Sequence, residues 1–378
     1  MTLAKGDRKK IRVGVLFGGR SGEHEVSLTS AKGIMAAMDP TKYEVVPIGI
    51  TKAGQWLTGE KVHQQLLAAA AGHPIIEAEA RRAAGEPAAE TAILALGVAE
   101  TGGLDVVFPV LHGPFGEDGT IQGFLELVDV PYVGAGVTAS ATGMDKAITK
   151  DVFRAHGLPI VTHRVFLRRQ WQQAPEQVIA ECEAAMPYPM FVKPVNLGSS
   201  VGIHKAKNRV DLQAGLADAA RYDRKLIVEQ GIEAREIEVS VLGNDEPIAS
   251  LPGEIIPSRE FYSYAAKYLD NQSELLIPAP LSPEHTDLIQ KLAIMAFQAL
   301  DCAGLARCDF LLEKATGEVF VNELNTMPGF TPISMYPKLW EASGLSYPAL
   351  IDRLIELALE RHEDKRQSQT LFEVEGAE

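Results

Sequence analysis

Cysteine is scarce in this chain: Cys182, Cys302 and Cys308 are the only three in 378 residues. Their spacing fits no zinc motif and an odd number closes no disulfide framework, so they read as reduced core residues. Basic charge is in deficit too, with 36 Lys and Arg against 50 Asp and Glu, a net charge of −14. That balance argues against a nucleic-acid or anionic-membrane partner, since nothing offsets phosphate repulsion overall, although local basic groups can still bind phosphate. No apolar run approaches the ~20 residues needed to cross a bilayer. The basic opening MTLAKGDRKK leads into an apolar stretch, residues 11–17, interrupted by Arg12 and Gly14. This is too short for a secretion signal, and the cytoplasm is the expected compartment. Internal repeats, low-complexity tracts and a GxxxxGK(S/T) loop are all missing, so any nucleotide must be held in another way.

What is present is ordinary globular material, 46% hydrophobic and 23% charged. At one domain per ~150 residues the length suggests two or three domains. Residues 11–17 form an apolar run ending at Gly18-Gly19, followed by a polar loop and a helical pattern to about Met38. Strand, glycine loop and helix open a doubly wound α/β unit. Further strands are expected at 43–50 and 106–111, a short strand and turn over 131–136, and a helix from Thr138. Residues 59–102, rich in Ala and Glu, read as helices carrying no chemistry. Beyond a boundary near 146, strands at 160–167, 190–193, 202–205 and 226–230 alternate with helices. Longer antiparallel strands are expected at 236–242 and 248–255, helices at 281–301 and 347–361, and a frayed polar tail over 363–378.

Residues 305–312 (LARCDFLL) and 318–325 (EVFVNELN) alternate apolar and polar and are joined by a polar link with a glycine, a β-hairpin pattern. Folded symmetrically about Thr316, the hairpin sets Asp309 across from Glu323 and Arg307 across from Asn325, all on one face of the pleat. Opposed side chains lie roughly 5 Å apart at Cβ, where like charges repel. Facing carboxylates beside an amide and an arginine make a poor structural device but a good seat for a hard divalent cation that bridges phosphates. The bland alternative is a solvated hairpin face. A one-residue slip in register would undo the pairing.

Three other segments suit phosphate or nucleotide. Lys193 ends an apolar strand and is followed by the small-residue loop 196–202 (NLGSSVG), which lets backbone N–H groups approach an anion. Lys146 opens a helix; alone, Lys193 reads equally as an exposed lysine at a hairpin turn, and Lys146 reads more readily as a surface residue. The strand at 226–230 breaks at Glu229-Gln230-Gly231 with Glu236 beyond, free backbone that could read a base and a carboxylate that could take ribose hydroxyls. A loop over 259–272 holding Tyr262, Tyr264, Lys267 and Tyr268 suggests a lid.

Together these residues resemble the D-alanine–D-alanine ligases of the ATP-grasp superfamily. Five stretches carry the resemblance in order: 18–27 (GGRSGEHEVS); 111–113 (LHG) with 116–120 (GEDGT); Met144-Asp145-Lys146; Lys193-Pro194 through 198–202 (GSSVG); and 322–326 (NELNT) with Pro328-Gly329. The resemblance implies an N-terminal doubly wound parallel-sheet domain over 1–146, then a two-lobed ATP-grasp fold with a central lobe over 147–232 and a metal-bearing lobe over 233–362. ATP and Mg2+ or Mn2+ are the implied cofactors, D-alanine the substrate, and a homodimer the expected state.

Residue by residue, the resemblance implies that Lys146 and Lys193 contact the α- and β-phosphates and that Ser199, Ser200 and Val201 cover the triphosphate. Glu229, Gln230 and Ile232 would line the adenine, Glu236 the ribose, and Lys267 the transferring phosphoryl group. Asp309, Glu323 and Asn325 would hold the metal. Glu23, oriented by Ser199 with His112 close by, would hold the ammonium of the first D-alanine. Arg307, Ser334 and the Met335 N–H would take the carboxylate of the second, and Arg307 with the Gly329 N–H would stabilise the oxyanion. Tyr268, bridging to Glu23 and Ser199, fits an amine nucleophile rather than D-lactate. The chain departs from the usual pattern at Val195-Asn196-Leu197, where charged residues often occur. Other readings stay open: another carboxylate–amine ligase, a D-alanine–D-lactate ligase, a non-catalytic ATP-binding regulator, or a dehydrogenase using the GxGxxA match at 134–139.

Overall fold

The computed structural model describes residues 10–59, 62, 103–198, 201–256, 274–331 and 333–369. Among them the strands form three sheets. The first is built from β1 (Ile11–Gly18), β2 (Tyr43–Ile50), β3 (Trp56–Leu57) and β4 (Val106–Val110), with helix α1 (His24–Ala37) between β1 and β2. Its order is β3-β2-β1-β4; β2 and β4 run parallel to β1, and only β3 is antiparallel. The apolar runs follow from burial on both faces. Val13, Val15 and Phe17 pack against α1, while Leu16, Ile48 and Val107 face α2 (Thr120–Leu127) on the other side.

Helices α3 (Val137–Met144) and α4 (Lys146–Ala155) follow. Asp145 caps α4, accepting from the N–H groups of Ala147 and Ile148 at 3.1 and 3.0 Å. The second sheet contains β5 (His163–Leu167), β6 (Met190–Pro194), β7 (His204–Ala206) and β8 (Lys225–Gln230), ordered β5-β8-β6-β7 and antiparallel throughout. Helices α5 (Arg168–Gln173), α6 (Pro175–Ala185) and α7 (Arg209–Tyr222) lie between these strands in the chain. Met190, Val192, Leu226 and Val228 bury one face against α6 and α7. The alternation therefore turns Phe191, Lys193, Ile227 and Glu229 to the opposite face.

The third sheet holds β9 (Ala234–Gly243), β10 (Ile248–Ala249), β11 (Gly253–Ile256), β12 (Glu274–Leu276), β13 (Gly304–Glu313) and β14 (Val319–Asn325). Its order is β12-β11-β9-β13-β14, with β10 also on β9. Helix α8 (Pro283–Ala299) covers Ile237, Val239, Cys308, Phe310 and Val321 on one face. Glu236, Glu238, Arg307 and Asp309 share the other. Helices α9 (Met335–Ala342) and α10 (Tyr347–Arg366) close the fold, and α10 packs Leu350, Ile351 and Leu354 into the core of the first sheet.

Several expectations need correcting. The strand expected over 248–255 is two short strands, because Pro252 lacks an N–H and Leu251 donates to the Ser343 hydroxyl at 2.9 Å instead. Residues 131–136 contribute a single bridge, Val107 to Tyr132, and no strand. The expected polar tail starts too early: α10 runs to Arg366, with Arg353 paired to Glu356 and Glu360 along its surface. Apart from residues 59 and 62, the alanine-rich stretch 59–102 lies outside the described residues. The three cysteines are buried free thiols, and burial pushes the Cys182 thiol up to about 12. No helix among the described residues is long and apolar enough to cross a membrane.

Candidate active site

The hairpin pairs Arg307 with Asn325 and Asp309 with Glu323, as the symmetric fold requires. The turn end obeys a different register: Leu312 faces Val319, and the Glu313 N–H donates to the Glu318 carbonyl at 2.9 Å. One extra residue, Asn322, is bulged between Val321 and Glu323 and reconciles the two halves. Without that bulge Glu323 would face the core side of the sheet.

On this face Arg307 forms a two-pronged pair with Asp309, Nε to Oδ1 and Nη2 to Oδ2 both at 2.7 Å, and its Nε lies 3.0 Å from Glu238 Oε2. Asp309 sits directly across β9 from Glu238, so the guanidinium separates two facing carboxylates. Burial disfavours its charge, but Asp309 and Glu238 outweigh burial and keep it protonated. Asn325 donates its amide to Asp309 Oδ2 at 3.0 Å. Among the described residues no group of three His, Cys, Asp or Glu side chains is arranged around a point. The expected ligands Asp309, Glu323 and Asn325 offer a cation the oxygens of two carboxylates and one amide.

The facing wall is cationic. Lys193 donates to Glu229 Oε2 at 2.6 Å, and Lys150 lies 3.1 Å from Oε1 of the same carboxylate. Lys146, one helical turn before Lys150, donates to the Leu197 carbonyl at 2.8 Å and lies 3.9 Å from Glu323. Lys150, only 1% exposed, is absent from the sequence-derived site. Its spacing from Lys146 was the available signal. Burial alone would push the Glu229 carboxyl up, but the Lys150 and Lys193 ammonium groups outweigh it and hold the group down to about 2. A folded pKa below the unfolded one stabilises the protein above about pH 4.5, and the contribution fades as pH falls toward about 2. It is worth on the order of 3 kcal/mol. Glu229→Gln is therefore expected to flatten the pH dependence of the melting temperature across that window; an unchanged slope contradicts the pairing.

Gln230 ends β8, Ile232 lies in the link to β9, and Glu236 is on β9 beside Glu238. Val201 donates its N–H to the Gly198 carbonyl at 3.2 Å. Ser199, Ser200, Lys267 and Tyr268 lie outside the described residues, as does the remainder of the tyrosine-rich loop.

A third cluster forms where β4 ends. A Cβ on Gly113 would lie 2.8 Å from Glu23 Oε2 and one on Gly198 2.9 Å, so glycine at both positions lets backbone from two regions close on that carboxylate. Gly113 also has φ of +74°, which glycine adopts without strain. His112 is buried, Nδ1 3.0 Å from the Met327 carbonyl and Nε2 3.4 Å from the Ser30 hydroxyl. Burial opposes its charge, yet Glu117 at 3.8 Å, with help from Glu23, raises its pKa. Glu117 is pushed up in turn by burial and by Glu23. No role attached to Glu117 in the sequence, although it lies in the GEDGT stretch.

Ser334 occupies the N-cap position of α9, so the Met335 N–H is one of the first-turn donors left without an intrahelical partner. The Ser334 hydroxyl accepts from the Thr331 N–H at 3.0 Å and would sit 3.0 Å from a Cβ on Gly329. The GxGxxA turn is taken up by packing: Gly134 lies against Met327 and Leu305, and its carbonyl accepts from Arg361.

The two halves of the chain match two family models, D-ala D-ala ligase N-terminus over residues 12–135 and D-ala D-ala ligase C-terminus over 152–356. The D-alanine–D-alanine ligase of Heliobacterium modesticaldum is 53% identical over 373 residues, covering 96% of this chain and 98% of that one. That of Geobacillus kaustophilus is 50% identical over 372 residues, covering 97% and 99%. Among solved structures, the D-alanine–D-alanine ligase from Coxiella burnetii has a TM-score of 0.77 at 38% identity, covering 95% of this chain and 97% of that chain. The VanG D-Ala:D-Ser ligase from Enterococcus faecalis has a TM-score of 0.77 at 35% identity, covering 93% and 100%. Likeness at about half of all positions, sustained through both halves, goes well beyond a shared architecture, and the chain belongs to the D-alanine–D-alanine ligase family.

Proposed function

We propose that this chain joins two D-alanine molecules, converting ATP to ADP and phosphate by way of D-alanyl phosphate, for peptidoglycan precursor synthesis. The observation that carries the reading is the opposition of a lysine wall (Lys146, Lys193) to a carboxylate and guanidinium wall (Asp309, Glu323, Arg307). In the first step a carboxylate oxygen of one D-alanine attacks the γ-phosphorus and the bond to ADP breaks. In the second, the amine of the other D-alanine attacks the acyl carbon, loses a proton, and phosphate leaves with the C–O electrons. Both steps gather negative charge, so fixed cations and N–H donors are what accelerate them.

Lys146 and Lys193 would hold the α- and β-phosphates, with Ser199, Ser200 and Val201 over the triphosphate and Lys267 on the transferring group. Glu229, Gln230 and Ile232 would line the adenine and Glu236 the ribose. Glu23, with Ser199 and His112, would hold the first D-alanine. Arg307, Ser334 and the Met335 N–H would hold the second, and Arg307 with the Gly329 N–H would face the oxyanion. Asp309, Glu323 and Asn325 fit a magnesium or manganese ion, because their donors are all oxygens and a hard cation fills its remaining positions with phosphate and water. Such an ion would neutralise phosphate charge. These roles divide the chain into a substrate domain over 1–146 and nucleotide lobes over 147–232 and 233–362. A cytoplasmic homodimer is the proposed state; a monomeric mass in light scattering counts against it.

ATP hydrolysis with D-alanine, L-alanine or D-lactate, with products identified by mass, tests the reading. Turnover and dipeptide with D-alanine alone is the expected result; D-alanine-independent hydrolysis or an ester product contradicts it. Tyr268→Phe is expected to raise D-lactate use relative to D-alanine, because a hydroxyl that favours an amine nucleophile is lost. An unchanged product ratio removes Tyr268 from the specificity.

A further inference from the structure

A fully buried lysine sits between the two walls. Lys150 Nζ is 3.1 Å from Glu229 Oε1 on β8 and donates at 3.3 Å to the Asn322 carbonyl on β14. Asn322 is the bulged residue that sets the register of its neighbour Glu323. The other oxygen of Glu229 holds Lys193 at 2.6 Å. One ammonium thus touches the carboxylate that aims a phosphate-side lysine and the backbone that aims a metal-side carboxylate. Burying it is unfavourable in itself, and burial lowers its pKa despite Glu229. Replacing a buried ion cluster as a whole with apolar side chains of similar volume is often neutral or stabilising, so buried charge here is better explained by geometry than by stability. The triad of Lys150, Glu229 and Lys193 also keeps one net positive charge, which a pair of Glu229 and Lys193 would lack.

We propose that Lys150 is a positioning residue that couples the walls, holding Lys193 through Glu229 and the seat of Glu323 through the Asn322 carbonyl. The inference rests on the nucleotide and metal assignments proposed above. Calorimetric titration with ADP, with and without magnesium, reads it without turnover. Lys150→Met is expected to weaken ADP binding and raise KM for ATP by about 10–100-fold, the usual effect of removing a supporting partner, with KM for D-alanine unchanged. Lys150→Met combined with Glu229→Gln removes both members of the Lys150–Glu229 pair, and without magnesium it is expected to bind ADP no worse than Glu229→Gln alone, since toward Lys193 the lysine acts through that carboxylate. Normal ADP affinity in Lys150→Met with only a lower melting temperature, or additive losses of magnesium-free ADP binding in the double variant, overturns the coupling. Should Lys150→Met fail to fold, the double variant against Glu229→Gln decides. Lys193→Met separates the layers: if it leaves ADP affinity intact, the nucleotide assignment falls, whereas a loss in Lys193→Met without one in Lys150→Met overturns the coupling alone.

Discussion

Glu323→Gln is expected to abolish magnesium-dependent phosphate release while the protein keeps a melting temperature close to that of the parent. The side chain is directly across from Asp309 on a face that is already polar, and Gln is nearly isosteric, so the sheet loses little. The chemistry loses one of two acidic oxygen donors. Lewis-acid stabilisation by a bound cation is worth several kcal/mol, so the rate is expected to fall on the order of 1,000-fold. Phosphate release followed against magnesium concentration reads the effect. Turnover near the parent rate removes Glu323 from metal ligation, and with it the reason for the facing carboxylates.

Arg307→Ala is expected to slow catalysis by about 100-fold or more, the typical effect of losing an oxyanion donor. This guanidinium also separates Asp309 from Glu238, which face each other across β9 and β13. Removing it leaves two like charges opposed in a largely buried place, at a typical penalty of about 3–5 kcal/mol for stripping one partner from a buried pair. Stability and rate should therefore fall together, and they separate by experiment. ADP binding reports the nucleotide end, which Arg307 does not touch, and should survive; kcat should not. Lysine is a poor replacement, because its single ammonium cannot reproduce the two-pronged contact at 2.7 Å on both Asp309 oxygens. A kcat in Arg307→Ala within a few-fold of the parent contradicts the oxyanion role.

Much of the architecture was legible because burial writes itself into local patterns. Strands β1 and β2, covered on both faces, are nearly unbroken apolar runs, and β2 falls on the residues expected for it. The facing of Asp309 and Glu323 was also legible, though by a route with a hidden compensation. Symmetry about Thr316 is correct at the open end, while the turn end is offset by one residue and the Asn322 bulge absorbs the difference. A trace of the bulge exists in β14. Its buried positions change parity from Val319 and Val321 to Leu324, leaving Asn322 and Glu323 as adjacent half-buried residues. Reading that change would have located the bulge.

Lys150 left only its one-turn spacing from Lys146 as a trace. Its burial depends on Glu229 from another sheet and on a carbonyl from β14, and neither is implied by the residues around it in α4. Glu117 was hidden for a related reason: its partner His112 comes close only after the chain has turned through Gly113 and Gly116. Elsewhere the local cue is present in the sequence. Pro252 divides the stretch read as one strand. The end of α10 was cut short because a polar helix surface, tied by Arg353 to Glu356 and Glu360 and by Lys365 to Glu126, resembles a frayed tail when its partners are unseen.

Oxygen transfer from substrate to phosphate tests the central claim most directly. D-alanine labelled with oxygen-18 in its carboxylate should pass one labelled oxygen into each inorganic phosphate released, because that oxygen bonds to the γ-phosphorus before the amine displaces it from the acyl carbon. Unlabelled phosphate alongside normal dipeptide formation would mean that the carboxyl group is never phosphorylated, and the proposed roles of both walls would fail together.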